Sequence, residues 1–170
     1  ITAESSGTVL YAAMRNRAAQ PYTPPPSDLP PPIQGLDYDS YRRILYRRDR
    51  TVWLNDPFNF HMQAYFPGFL YKVTTRVHIG DGTHFSLYPF SGADFEFLAP
   101  MDANEFNSLP LPGVAGVRLN YPRDLPDRFD ELVSFLGASY FRALGMGNRY
   151  GLSARGLALN TATSVAEEVP

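Results

Sequence analysis

The chain has no cysteine among its 170 residues, which excludes a disulfide frame, a thiolate nucleophile and a cysteine-based metal site. It also lacks any surplus of positive charge. A net charge of −2 and a pI near 5.9 leave no basic footprint, so no nucleic-acid partner is expected. No stretch reaches the roughly 18 consecutive apolar residues of a membrane span, and no span is expected. The first residues, Ile1-Thr2-Ala3-Glu4, carry no basic-plus-apolar leader, so a signal peptide is expected to have been removed. His61, His78 and His84 stand in separate strand-like stretches without an HExxH pattern, and no metal site is expected. Gly145-x-Gly147 runs on to Tyr150 where a dinucleotide fingerprint needs glycine, there is no P-loop, and no cofactor is expected. Ser153 lies in Gly151-Leu152-Ser153-Ala154-Arg155, not in a nucleophile elbow, and no histidine is near it in sequence. Glu167 and Glu168 are strand neighbours and point to opposite faces, so they make no ready acid/base pair. These residues alone do not spell catalysis, and no internal repeat is present.

Apolar material is plentiful. Hydrophobic residues at 44% and aromatics at 14% suffice for one core, in a single domain or part of a larger one. Residues 1–20 hold Val9, Leu10, Ala13 and Met14 at helical spacing, with Arg15 and Arg17 near the end where cations suit the macrodipole. From Pro21 to Pro32 seven of twelve residues are proline, which predicts an extended strap without helix or ladder. An SH3-like partner would fit such a stretch, but a packed or spacing strap is the favoured reading. Asp37 or Asp39 can cap a short helix carrying Tyr41, Ile44 and Leu45 on one stripe. Five arginines between 42 and 50 follow; they read as a solvated helix face paired with local acids, or, more sharply, as a contact for anionic substituents on a partner.

Residues 52–97 read as β-structure. Phe58, Phe60, Met62 and Ala64 alternate, a run from Phe69 to Val77 follows, and a turn at Gly80-Asp81-Gly82 precedes Phe85 and Leu87. Residues 98–112, with Pro100, Pro110 and Pro112, read as irregular, and Val114 to Leu119 as a strand. Asp124 can cap a helix with Pro126 in its first turn. Phe129, Leu132, Val133 and Leu136 would then line one stripe at i, i+3, i+4 and i+7, and Gly137 would end it.

The richest segment is 135–160. Two β-prone runs flank Gly147-Asn148, a dipeptide that closes two-residue hairpins. With those residues as the loop, Met146 pairs with Arg149, Phe141 faces Ala154 and Ala143 faces Leu152, making one apolar, core-facing side. On the other face Arg142 sits across from Ser153 and Tyr140 across from Arg155. Two diagonal arginines repel unless an acid or a ligand lies between them. Small residues around them (Gly137, Ala138, Ser139, Gly151, Ala154, Gly156) leave room for close approach. Tyr140, Arg142, Ser153 and Arg155 are therefore the candidate binding residues, against the bland reading of a solvated sheet face.

Phe135-Leu136-Gly137-Ala138-Ser139-Tyr140-Phe141-Arg142 followed by Tyr150-Gly151-Leu152-Ser153-Ala154-Arg155-Gly156-Leu157-Ala158 resembles the osmoregulated periplasmic glucan biosynthesis proteins of the G and D type. Further along the chain, Leu36-Asp37-Tyr38 through Tyr41-Arg42-Arg43-Ile44 resembles the family's opening helix, and Gly68-Phe69-Leu70-Tyr71 its early strand. Gly113-Val114-Ala115-Gly116-Val117-Arg118 resembles its GFAGFR segment, and Glu167-Glu168-Val169-Pro170 its EEFP. Tyr65-Phe66-Pro67-Gly68 departs from the family's aromatic-His-x-Gly run, so any role of that histidine is missing.

The resemblance implies an all-β sandwich of the galactose-mutarotase-like type, with short helices near 39–47 and 125–136. It divides the chain into a helical segment at 1–20, a proline-rich strap at 21–36, and the N-terminal part of a glucan-binding sandwich at 37–170. The rest of the sandwich and an immunoglobulin-like domain are expected beyond Pro170. It further implies a periplasmic protein whose partner is a β-glucan, with a homodimer left open, and whose intact form is a β-1,2-glucanase or transglycosylase, a glycoside hydrolase. A non-catalytic protein guiding nascent glucan is the alternative. Catalytic carboxylates are expected beyond residue 170, and none is assigned here. Tyr140 would serve as a ring platform, Arg142 and Arg155 as donors, and Ser153 as a small polar contact.

Overall fold

Strand pairing dominates because the apolar residues lie in short β-prone runs separated by proline and glycine. The structure, a computed structural model, describes residues 3–25, 27–81, 84–137, 139–145, 147, 149–155, 157–159 and 167–169. In chain order the elements are α1 (Ala3–Ala18), α2 (Pro31–Gln34), α3 (Tyr38–Tyr41), β1 (Ile44–Tyr46), β2 (His61–Tyr65), β3 (His78–Gly80), β4 (Phe85–Leu87), β5 (Phe95–Phe97), α4 (Ala103–Asn107), β6 (Gly116–Pro122), β7 (Phe129–Leu136), β8 (Tyr140–Leu144), β9 (Tyr150–Ala154), β10 (Leu157–Leu159) and β11 (Glu167–Val169). Among the described residues the main sheet is antiparallel with five strands in the order β2-β6-β7-β8-β9, beside two-stranded ribbons β1-β5, β3-β4 and β10-β11. This is an all-β, sandwich-like architecture with a few short helices.

One core joins these parts. Tyr46 of β1 and Phe95 and Phe97 of β5 pack with Met62 and Ala64 of β2, and Leu29, Ile33 and Leu36 of the proline-rich stretch close the cluster. Phe66 sits among three rings, edge-on to Phe95 at 5.0 Å, Phe97 at 5.3 Å and Phe106 at 6.4 Å. Such edge-to-face pairs add roughly 0.5–1.5 kcal/mol each beyond their burial. The Tyr41 hydroxyl donates to the Phe66 carbonyl at 2.8 Å and ties α3 to this centre. Ile33 and Val114 are fully buried, each worth about 1.5–3 kcal/mol of burial.

Several expectations are corrected. The helix expected over 125–136 is β7, and 125–128 is the turn of the β6–β7 hairpin, with the Arg128 N–H donating to the Leu125 carbonyl. Gly137, expected to end that helix, sits at φ +64 at the β7–β8 turn. The helix expected near 39–47 is limited to Tyr38–Tyr41; Asp37 caps it by accepting from the Ser40 N–H at 2.8 Å, and Ile44 and Leu45 belong to β1. The arginines of 42–50 therefore share no single helix: Arg42 closes α3, while Arg48 and Arg50 belong to a 3-10 turn (Arg48–Arg50). Three of them lie near acids, Arg42 with Asp39, Arg47 with Asp49 and Arg50 with Asp94. Pro31 and Pro32 do not extend the strap. They open α2, where fixed φ and the missing N–H are tolerated. No strand runs through 69–77, where only the bridges Gly68–Tyr71 and Thr75–Val114 form, and α4 interrupts the segment expected to be irregular. Helix α1 forms as expected, yet Val9, Leu10 and Met14 are all at least half exposed.

Gly116 shows how closely β6 and β7 approach. A methyl group at its Cα would lie 2.0 Å from the Phe135 carbonyl oxygen and 2.8 Å from the Leu136 Cα. Backbone cannot yield there, so Gly116→Ala should lose about 1–3 kcal/mol in urea unfolding. Gly145→Ala, whose added methyl would meet only the Arg149 carbonyl at 3.8 Å, should stay within about 0.5 kcal/mol of the parent.

Candidate functional site

The register of the main sheet sorts its side chains into two faces. Gln63 pairs with Arg118, Arg118 with Ser134, Ser134 with Arg142, and Arg142 with Ser153. Paired residues share a face, so one polar row crosses all five strands. Ala64, Val117, Phe135, Phe141 and Ala154 form the matching apolar row on the other side.

A bulge then brings a carboxylate onto the polar face. The β6–β7 ladder pairs Leu119 with Val133 and Asn120 with Glu131, leaving Leu132 as the extra residue. Past that point the alternation of β7 is reversed, and Glu131 joins Ser134 on the polar side. Its carboxylate accepts a charge-assisted hydrogen bond from the Arg142 guanidinium and another from the Tyr65 hydroxyl at 3.1 Å. The Tyr65 and Ser134 hydroxyls also lie 3.1 Å apart, within hydrogen-bonding distance. Burial pushes the Glu131 carboxyl up, but the bonds from Arg142, Ser134 and Tyr65 outweigh it and hold the carboxyl below its usual range. Glu131 is therefore a carboxylate at neutral pH.

The row's other end is equally committed. Arg118 donates through Nε at 3.0 Å and through a terminal nitrogen at 2.7 Å to the Gln63 side-chain oxygen. Arginine only donates, which fixes the amide's orientation and sends its nitrogen to the Thr51 hydroxyl at 2.8 Å. Gln63, Asn120, Ser134 and Thr51 are buried, and among the described residues no buried side-chain polar atom lacks a partner. A satisfied network of this kind holds its donors in place before any ligand arrives.

Beside the row runs a groove of about 1440 Å³, between Leu45 and Glu96 of the β1–β5 ribbon and His61, Gln63, Arg118 and Glu131 of the sheet. His61 stacks on Phe129 at 3.6 Å with 11° between the rings, and burial lowers its pKa. Four arginines and five carboxylates line the groove, so neither sign dominates and the wall suits a neutral, hydroxyl-rich ligand better than a polyanion. Among the described residues no three His, Asp or Glu side chains are grouped to hold a metal ion.

Of the residues singled out from sequence, Tyr140, Arg142 and Ser153 share the polar face by register, Tyr140 two residues before Arg142 on β8. Tyr140 lies near Tyr71, whose hydroxyl pKa is raised first by burial and then by this neighbour. Arg155 is exposed, one residue past β9. The acid needed beside the arginines is Glu131, which the helical reading of 125–136 hid. The pairings Phe141–Ala154 and Arg142–Ser153 are as expected, but the tight turn is not. The ladder shifts before Leu144–Tyr150, and the Gly145 N–H donates to the Arg149 carbonyl, so three residues lie in the loop. Met146 and Asn148 of that loop, like Ala138 and Gly156, lie outside the described residues. The apolar face, expected to be core-facing, is open at this end: Phe135 is 49% and Leu152 77% exposed. Gln63, Tyr65, Arg118 and Asn120 were missed because separated polar residues on two strands show no motif until pairing aligns them.

A family model described as "Periplasmic glucan biosynthesis protein, MdoG" matches residues 6–170. The chain is 47% identical over 161 residues to the glucans biosynthesis protein G of Cereibacter sphaeroides, covering 95% of this chain and 30% of that protein. It is 39% identical to the protein of that name from Rhodopseudomonas palustris, over 92% of this chain and 30% of the relative. For the Vibrio cholerae protein the values are 40%, 92% and 28%. The chain thus spans under a third of the length of these curated relatives.

The Glu131 pairing sets a pH dependence. A carboxyl whose folded pKa lies below its ordinary value of 4.5 adds stability that is complete above that value and is lost as the pH falls through the folded pKa. Because Arg142 is 42% exposed, solvent screening trims the pair, and Glu131→Gln should cost about 1 kcal/mol at pH 7. At pH 3 the gap between parent and variant should shrink. Urea unfolding at both pH values measures it; a constant gap would show that the pair adds no ionic term.

Proposed function

Because the chain belongs to the periplasmic glucan biosynthesis protein family MdoG, we propose that its polar sheet face and groove bind the β-1,2-linked backbone of an osmoregulated periplasmic glucan, in the periplasm. The observation that carries this reading is the in-register row Gln63–Arg118–Ser134–Arg142–Ser153 beside a groove of mixed charge. Glucan is neutral and rich in vicinal hydroxyls. Arginine forks and amides at fixed positions supply donors and acceptors for them, and Tyr140 offers a ring to a pyranose face.

The intact protein, on this proposal, cleaves or transfers β-1,2-glucan. Glycoside hydrolysis needs one carboxylic acid protonated near neutral pH and a second carboxylate as base or nucleophile. Glu131 does not qualify as the acid, being held ionised by Arg142. Among the described carboxyls with a resolved shift, Asp37, Asp49 and Glu131, all are lowered. No catalytic residue is assigned in this chain, whose part on this proposal is a binding wall. The same observation favours a second reading, a protein that binds and guides glucan without cutting it. Incubating the intact protein with linear β-1,2-glucan and sizing the products separates the two. Shortened or redistributed chains establish the enzyme, and unchanged chains that remain bound establish the guide.

Arg155 gives the cleaner binding test, being exposed. Arg155→Ala should alter stability by less than about 0.5 kcal/mol. If Arg155 donates to glucan, calorimetric titration should show affinity weakened about tenfold or more, in line with the roughly 2–5 kcal/mol that truncating a desolvated donor costs. Parent-like affinity would remove Arg155 from the site.

A further inference from the structure

A second cavity, of about 670 Å³, adjoins the groove at the Thr51–Leu54 turn. That volume falls within the roughly 300–1,000 Å³ of small-molecule sites. Asp49, Thr51 and Leu54 line both spaces, so the turn is a ridge shared by the two rather than a wall isolating them. Leu54 on the ridge is 40% exposed. Trp53, Asn55 and Asp56 line the cavity together with Ser86, Tyr88 and Asp94.

Trp53 is the chain's only tryptophan and is held at φ 65, a left-handed conformation that large L side chains rarely adopt. Its surroundings over-determine that conformation. Val52 exchanges two backbone hydrogen bonds with Met62, at 3.0 and 3.2 Å, and the Thr51 hydroxyl accepts from Gln63 of the polar row. On the other side the Asp56 N–H donates to the Trp53 carbonyl at 3.2 Å. Strain kept in place by neighbours on both sides is a mark of a working position. The cavity joins an indole and a phenol to amide and carboxylate oxygens, the groups that take a sugar's C–H face and its hydroxyls. Three carboxylates (Asp49, Asp56, Asp94) against Arg50 make it unfavourable to phosphate or other anions.

We propose that this cavity is an outer subsite, in which Trp53 holds a further glucosyl unit of the same glucan chain after it crosses the Thr51–Leu54 ridge. The proposal rests on the glucan-binding reading of the groove. Short oligosaccharides then occupy the groove alone, while longer ones gain a second, tethered contact whose benefit follows from effective concentration.

Calorimetric titration of the intact protein with β-1,2-gluco-oligosaccharides of increasing length tests it. Affinity should rise with length in the parent, and Trp53→Ala should lose about tenfold or more for long chains with no change for short ones. Asn55 and Asp56 are exposed, so Asn55→Ala with Asp56→Ala should fold normally and weaken long-chain binding several-fold; this double variant decides the matter if Trp53→Ala fails to fold. Equal losses for short and long chains, no loss for long ones, or affinity independent of length would each overturn the outer subsite while leaving the groove reading intact. A parent protein that binds glucan of no length would overturn both.

Discussion

Leu132 has no partner across the β6–β7 ladder, and the polar face depends on that single extra residue. Without it, strict alternation back from Ser134 would bring Leu132 to the polar side and turn Glu131 toward Leu119 and Val133. Arg142 would then lack its carboxylate and Tyr65 its acceptor. Instead Glu131 reaches both, and Phe129, two residues earlier, comes round to stack on His61 at the groove's edge. The bulge thus positions an ion pair and a groove wall together.

The polar row is arranged so that its strongest donors are already engaged. Arg118 is held by Gln63 and Arg142 by Glu131, and Gln63 passes the linkage on to Thr51 beneath the Trp53 turn. An arginine held by a neutral amide or by one carboxylate keeps spare N–H groups, so it is oriented without being exhausted. Placing mixed charges along the groove avoids a one-sign field that would draw polyanions.

The aromatic core explains why this face can stay polar. Phe66, Phe95, Phe97 and Phe106 gather the apolar contacts at the β1–β5 ribbon and the α4 end, against Met62 and Ala64 of β2. Burial is therefore concentrated at one end of the sheet. The β8–β9 end, with Phe135 and Leu152 exposed, takes little part in it. The strands that carry Arg142 and Ser153 are joined by ladder hydrogen bonds, and β7 and β8 also by the Glu131–Arg142 pair.

The sequence by itself determined the elements whose signals are local. Alternating apolar residues, a β-prone run on each side of a glycine, and Asp37 before a short polar-apolar stretch produced the β8–β9 pairing and the α3 cap that were expected. It also placed Tyr140, Arg142 and Ser153 on one face, because period-two geometry needs only a register. Tertiary structure alone decided the rest. In β7 the bulge inserts one residue, so Phe129, Leu132, Val133 and Leu136 imitate a helical stripe, and only pairing with β6 reveals a strand. Likewise Ile44 and Leu45 continue a helical pattern that the Phe95–Phe97 edge captures as β1. The polar row lies beyond sequence reading for the same reason: its members come from five strands, and strand order is set by which apolar faces bury together, a long-range choice that no local pattern records.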